Sequence, residues 1–189
     1  MRLFGWVIGG DGVPNAARRK WKADWATAVA SRDVHAPAAL RARLGSEFSS
    51  DDDVELEQEM LHGLDGLISL VTNLQQGSLP IVATTHRVVA HEVCHFSAPA
   101  SLVHVAGSPS GRLLLTRSRA VFVGAGTVTK IPLHAVARVV EHERDVLVGR
   151  SDPDGVYRFR FNTYVDALSA AALVRHLTQR DPRNCRAQL

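Results

Sequence analysis

The hydrophobic period of the chain changes once, near residue 80. Before that point apolar residues recur three and four apart. Trp21, Trp25, Ala28 and Val29 predict a helix over residues 14–33, with Pro14 suited to a first turn and Asn15 an alternative cap. Residues 37–44 predict a short second helix, ended by Gly45. Leu56, Met60, Leu64, Leu67, Ile68, Val71 and Leu74 form one stripe of a third helix, expected over about residues 51–76. Ser49 and Ser50 offer caps, and Asp51, Asp52 and Asp53 match the positive end of the helix dipole. Gly77 and Pro80 stop it. The acidic run 51–59 is expected to be a solvated helix start rather than a cation site.

Beyond Pro80 the period drops to two. Strands are expected at 81–96, 101–106, 112–116, 120–124, 127–133, 135–141, 145–150 and 156–162. Turn residues punctuate them: Ser108-Pro109-Ser110-Gly111, Gly124-Ala125-Gly126 and Asp152-Pro153-Asp154-Gly155. Ala167, Leu168, Ala171, Ala172, Leu173, Val174 and Leu177 then predict an amphipathic helix over 166–179, halted by Asp181-Pro182. The fold class is α+β. A helical region, 1–80, precedes an antiparallel β-barrel domain, 81–180, whose last helix closes the barrel; 181–189 is a flexible tail.

Gly111-Arg112-Leu113-Leu114-Leu115-Thr116, followed by Arg119-Ala120-Val121-Phe122-Val123-Gly124, resembles a signature of bacterial PH-like and GRAM-like domains. Lys130-Ile131-Pro132-Leu133 with Val136 and Val139 resembles their next strand. Residues 145–148, 157–161 and the helix from Asp166 continue the same order. The resemblance covers about half the chain and implies a PH-like β-barrel capped by a C-terminal α-helix. It implies a non-enzymatic binding or scaffolding role, through a protein partner or self-association, and specifies fold better than activity. Lipid-binding members of the family carry cations around the first strand–strand loop, and here 96–104 has no Lys or Arg.

Charge adds a contrast between the halves. Residues 1–83 carry 8 Lys/Arg against 11 Asp/Glu, and residues 84–189 carry 14 against 8. No aromatic–basic recognition motif accompanies the positive half, so nucleic acid is not an expected partner. Cys94 and Cys185 form no disulfide framework, which points to a reducing compartment and a cytoplasmic location. The opening run of residues 3–8 is too short to cross a bilayer, and no transmembrane segment is expected.

Three sets of residues carry candidate chemistry. Arg18, Arg19 and Lys20 beside Trp21 and Trp25 suggest an alternative role as a membrane-surface adaptor on anionic lipid; a packed helix is the plainer reading. Arg158 and Arg160 alternate with Tyr157, Phe159 and Phe161 and offer a basic ligand-binding face, as any half-buried strand would. His91-Glu92-Val93-Cys94-His95 matches the H-E-x-x-H pattern of zinc hydrolases. On a helix, His91 and His95 would hold Zn²⁺ and Glu92 would act as general base. The segment instead reads as a strand, which would separate the two histidines by about 13 Å. No third ligand stands where the known extensions place one, since Ala98 and Ser101 occupy those positions. Neither a catalytic group nor a cofactor is therefore expected. Among the other histidines nearby, His86 and His104 read as half-exposed strand positions, and Cys94 as a small core residue.

Overall fold

A computed structural model describes residues 14–48, 53–103, 107–151 and 155–179. The apolar run 3–8, the Ser49–Asp52 caps, His104, the 152–154 turn and the tail with Cys185 lie outside the described residues. The chain folds as two compact units, Met1–Leu61 and His62–Leu189.

The first unit holds α1 (Pro14–Ser31), α2 (Ala36–Glu47) and the start of α3 (Glu55–Gln75). Trp21 is 0% exposed, and its indole N–H donates to the Leu40 carbonyl at 3.0 Å. The Trp25 indole donates to the Met60 carbonyl at 2.8 Å. Each large aromatic fills space between helices while its one polar atom is satisfied, the condition for burying an indole. Two details of the acidic and glycine readings change. Glu57 is buried, not solvated, because Arg18 Nε at 3.3 Å and Lys22 Nζ at 3.5 Å pair with it. Arg18 stands in the second turn of α1 and Lys22 in the third, and Glu57 is the anion they share. Gly45 lies inside α2, which continues to Glu47.

The second unit is a seven-stranded antiparallel sheet in the order β4-β3-β2-β1-β7-β6-β5, with α4 (Tyr164–Gln179). The strands are β1 (Cys94–Leu102), β2 (Ser110–Thr116), β3 (Arg119–Gly124), β4 (Thr127–Pro132), β5 (Val136–His142), β6 (Asp145–Arg150) and β7 (Val156–Phe161). Alternate residues of one sheet face, among them Phe96, Leu113, Leu115, Phe122, Ile131, Val148, Phe159 and Phe161, meet Ala167, Ala171, Leu173 and Leu177 of α4 in one core. Thr163 caps α4: its hydroxyl accepts the Asp166 amide at 3.1 Å and donates to the Asp166 carboxylate at 2.9 Å.

The end strands β4 and β5 do not pair, so the sheet is open where a closed barrel was expected. The narrow point is β1–β7, paired only from Ala100 to Leu102. The compact division also falls inside α3 and not at residue 80. The later half of α3 packs within the sheet unit: Leu74 joins the core, and Gly63 lets α3 approach Tyr164 so closely that a Cβ there would lie 2.7 Å from the tyrosine Cβ.

The two strands expected across 81–106 are corrected by the structure. One strand, β1, runs through Pro99. The Leu102 amide donates to Pro109 on the β2 side and the Val103 amide to Arg158 on the β7 side. By alternation the missing Pro99 N–H would point toward β7, where pairing has not yet begun. Residues 80–92 form no strand. They cross the outer face of the sheet, with a single 3-10 turn at Arg87–Val89. Among the described residues, no helix is long and apolar enough to cross a membrane.

Candidate interaction surface

The crossing segment is held at both ends. At its start the Val82 amide donates to the Cys94 carbonyl at 2.8 Å, and the buried His95 Nδ1–H donates to the Pro80 carbonyl at 2.7 Å. At its far end Glu92 accepts from the Thr116 hydroxyl at 2.7 Å, the Ser118 hydroxyl at 2.8 Å and the Arg119 guanidinium. Burial alone would raise the Glu92 pKa. The hydrogen bonds from Thr116 and Ser118, with the Arg119 charge, outweigh it and hold the carboxyl below its ordinary value. Between these anchors Val82, Val88 and Val89 cover Cys94, Leu114, Val121 and Val123, a second apolar cluster on the face opposite the core. The strap explains why 81–93 is rich in valine without pairing as a strand: Val89 is buried and Val82 and Val88 are half-buried against a sheet face.

This geometry fixes the place of His91-Glu92-Val93-Cys94-His95. His91 is exposed in a turn, Glu92 clasps β2 and β3, and His95 is in β1 with its ring on a backbone carbonyl. The segment is not the helix that zinc chemistry needs, and only its last two residues, Cys94 and His95, belong to the strand that the sequence suggested. No three His, Cys, Asp or Glu side chains among the described residues stand together as metal ligands. His91 and His95 do not stand one helical turn apart as the H-E-x-x-H pattern requires, and Glu92 is engaged by Arg119, Thr116 and Ser118.

Arg158 and Arg160 come together on one acceptor that the sequence reading missed. Asp145, 5% exposed, accepts from Arg158 Nε and Arg160 Nε, each at 2.8 Å. The Arg160 hydrogen bond, reinforced by Arg158, lowers the Asp145 pKa in spite of burial. The alternation along β7 did place both arginines on one face; the β6–β7 register, with Asp145 opposite Arg160, gives them their anion. Trp21 and Trp25 are occupied as well. Packed inside the helical unit, neither indole is presented to a lipid surface, and Arg18 is paired with Glu57. Arg19 and Lys20 remain exposed.

The two edges of the sheet differ. At β5, Arg175 of α4 donates to the Val139 carbonyl at 3.1 Å and to Glu141. The His142–Asp145 hairpin register turns the Val139 backbone outward, so Arg175 occupies the edge itself. At β4, Gly124 pairs with Thr127 across a two-residue loop in which Gly126 has φ +72°, and Leu133 N–H donates to the Ser118 carbonyl at 2.9 Å. Alternation then directs the backbones of Thr127, Thr129 and Ile131 toward β3 and those of Val128 and Lys130 outward. Pro132, which has no N–H to offer, takes the last outward position. Val128 is 50% exposed. Its side chain and that of Lys130 line a shallow depression with Arg87 and Val88 of the strap.

No family model and no curated protein matches this chain. Similar solved structures include the C-terminal domain of an unknown protein from Leishmania infantum, at 16% identity and TM-score 0.40, covering 48% of this chain and 88% of that one. Inner membrane complex sub-compartment protein 3 from Toxoplasma gondii is similar at 11% identity and TM-score 0.35, covering 46% and 75%. The DH/PH domains of p115-RhoGEF are similar at 12% identity and TM-score 0.43, covering 88% and 56%. At these scores the likenesses carry no functional statement, and the architecture rests on the strand order and pairing described above.

Proposed function

We propose that residues 94–179 form a PH-like protein-recognition module, and that the chain is a binding or scaffolding protein rather than an enzyme. The order of elements supports the family reading: seven antiparallel strands, then one helix on the core face. The observation that carries the binding mode is the difference between the edges. Arg175 closes β5, whereas β4 presents the Val128 and Lys130 backbones with no partner among the described residues. An unpaired, regular edge is a template for an incoming extended segment, which gains main-chain hydrogen bonds there.

The test is selection from a random peptide library against the whole chain, followed by amide hydrogen exchange. Enriched peptides should bind saturably and slow exchange at Val128 and Lys130. Enrichment of no peptide, or protection confined to β5 and α4, would refute the reading.

A further inference from the structure

The occupant of the β4 edge is constrained by the side chains around it. An added strand would pair with the outward backbones of Val128 and Lys130. Its side chains would alternate between the two sheet faces. On the outer face they would lie beside Val128, Lys130 and the strap residues Arg87 and Val88. Arg87 and Lys130 are both exposed, and the depression has no acidic lining residue. The nearest strap carboxylate, Glu92, is committed to Arg119, Thr116 and Ser118. In the same cross-strand row as Val128, two strands inward past Val123, Arg112 is exposed and its guanidinium donates to the Ser97 hydroxyl at 3.1 Å. The face beside the open edge therefore carries cations around an apolar floor of Val88 and Val128.

From this we infer that the β4 edge takes an extended acidic segment of a partner protein, in which apolar residues and carboxylates share the outer face and the carboxylates meet Arg87 and Lys130. A second copy of this chain is disfavoured as the occupant. Two β4 edges side by side would gather two Arg87 and two Lys130 side chains on one surface, and like charges across strands oppose pairing. The inference rests on the edge-binding reading but goes further, since it sets the chemistry of the segment.

The experiment uses fluorescence anisotropy with the whole chain and two dye-labelled, end-blocked short peptides. In both, acidic or basic residues and valines are arranged so that charge and valine fall on the same face of an extended strand. One probe carries Glu at the charged positions, the other Lys. The Glu probe should bind about five- to ten-fold more tightly than the Lys probe, the range two cross-strand ion pairs provide. The double variant Arg87→Ser/Lys130→Ser should erase that preference. Val128→Pro, which removes an outward N–H and no bond to β3, should abolish binding of both probes. Because these losses could also come from misfolding, the double variant Arg87→Glu/Lys130→Glu supplies a gain: it should prefer the Lys probe. Equal binding of the two probes, a Glu preference that survives charge reversal, or no binding of either overturns the inference. In each of these cases library peptides that still protect Val128 and Lys130 would leave the edge reading standing, and their composition would name the true class.

Discussion

Glu92 shows how one carboxylate changes its meaning with its surroundings. As part of H-E-x-x-H it would be a general base; in the fold it is a clasp. Its oxygens accept from two hydroxyls and a guanidinium, and they tie the strap to the β2–β3 turn. Glu92→Gln keeps the shape and removes the charge. It is expected to destabilise the sheet unit by about 1–2 kcal/mol, the range for a charge-assisted bond at a partly exposed site. The pH dependence has a definite sign. The folded pKa is depressed, so the contribution is fully present above the ordinary carboxylate value and is lost as pH falls through the folded value. Urea titrations should therefore give a gap between wild type and Glu92→Gln at neutral pH that closes in acid. A constant gap would mean the carboxylate acts by shape alone.

Among the elements, helix glycines separate packing from propensity. Gly45 and Gly63 both sit inside helices, α2 and α3, where alanine is intrinsically better by about 1 kcal/mol. A Cβ at Gly45 meets nothing within 4 Å, so Gly45→Ala should stabilise its unit by about 0.5–1 kcal/mol. A Cβ at Gly63 would lie 2.7 Å from Tyr164 Cβ and 3.2 Å from the Tyr164 carbonyl carbon, atoms that cannot swing aside. Gly63→Ala should destabilise by about 1–3 kcal/mol, since overpacking outweighs the propensity gain. Opposite shifts in the two denaturation midpoints are the expected result; matching shifts would mean that α3 and α4 can part without cost. The same contrast of context separates the sheet edges. Both β4 and β5 are end strands, but only β5 has a helix arginine on its outward carbonyl.

For the whole molecule, two cores imply two reporters. Among the described residues tryptophan occurs only in the helical unit, as Trp21 and Trp25, while the sheet core is built on Phe96, Phe122, Phe159 and Phe161. Truncating Trp21 removes a fully buried side chain and should cost about 3–5 kcal/mol. In Trp21→Ala with Trp6→Phe, which leaves Trp25 as the one tryptophan of the chain, the fluorescence transition should move to much lower denaturant than in Trp6→Phe alone. Amide exchange at Phe122 and Phe159 should keep its wild-type protection, because neither residue belongs to that core. Loss of protection at Phe122 and Phe159 in parallel with the fluorescence change would show one cooperative unit.

The local rules of the chain determined a great deal. Helical spacing located α1, α2 and α3, alternation and turn residues located β2 to β7, and apolar periodicity located α4, because each depends on residues a few positions apart. The strand order, the strap and the edges depend on partners far apart in sequence. Glu92 meets Arg119 27 positions on, Arg175 meets Val139 36 positions back, and Trp25 meets Met60 35 positions on. No window along the chain contains both members of such a pair. That is why valine-rich residues 81–93 look like a strand until a sheet face covers them, why Trp21 and Trp25 look available to a membrane until helices enclose them, and why only the assembled sheet decides which edge stays open.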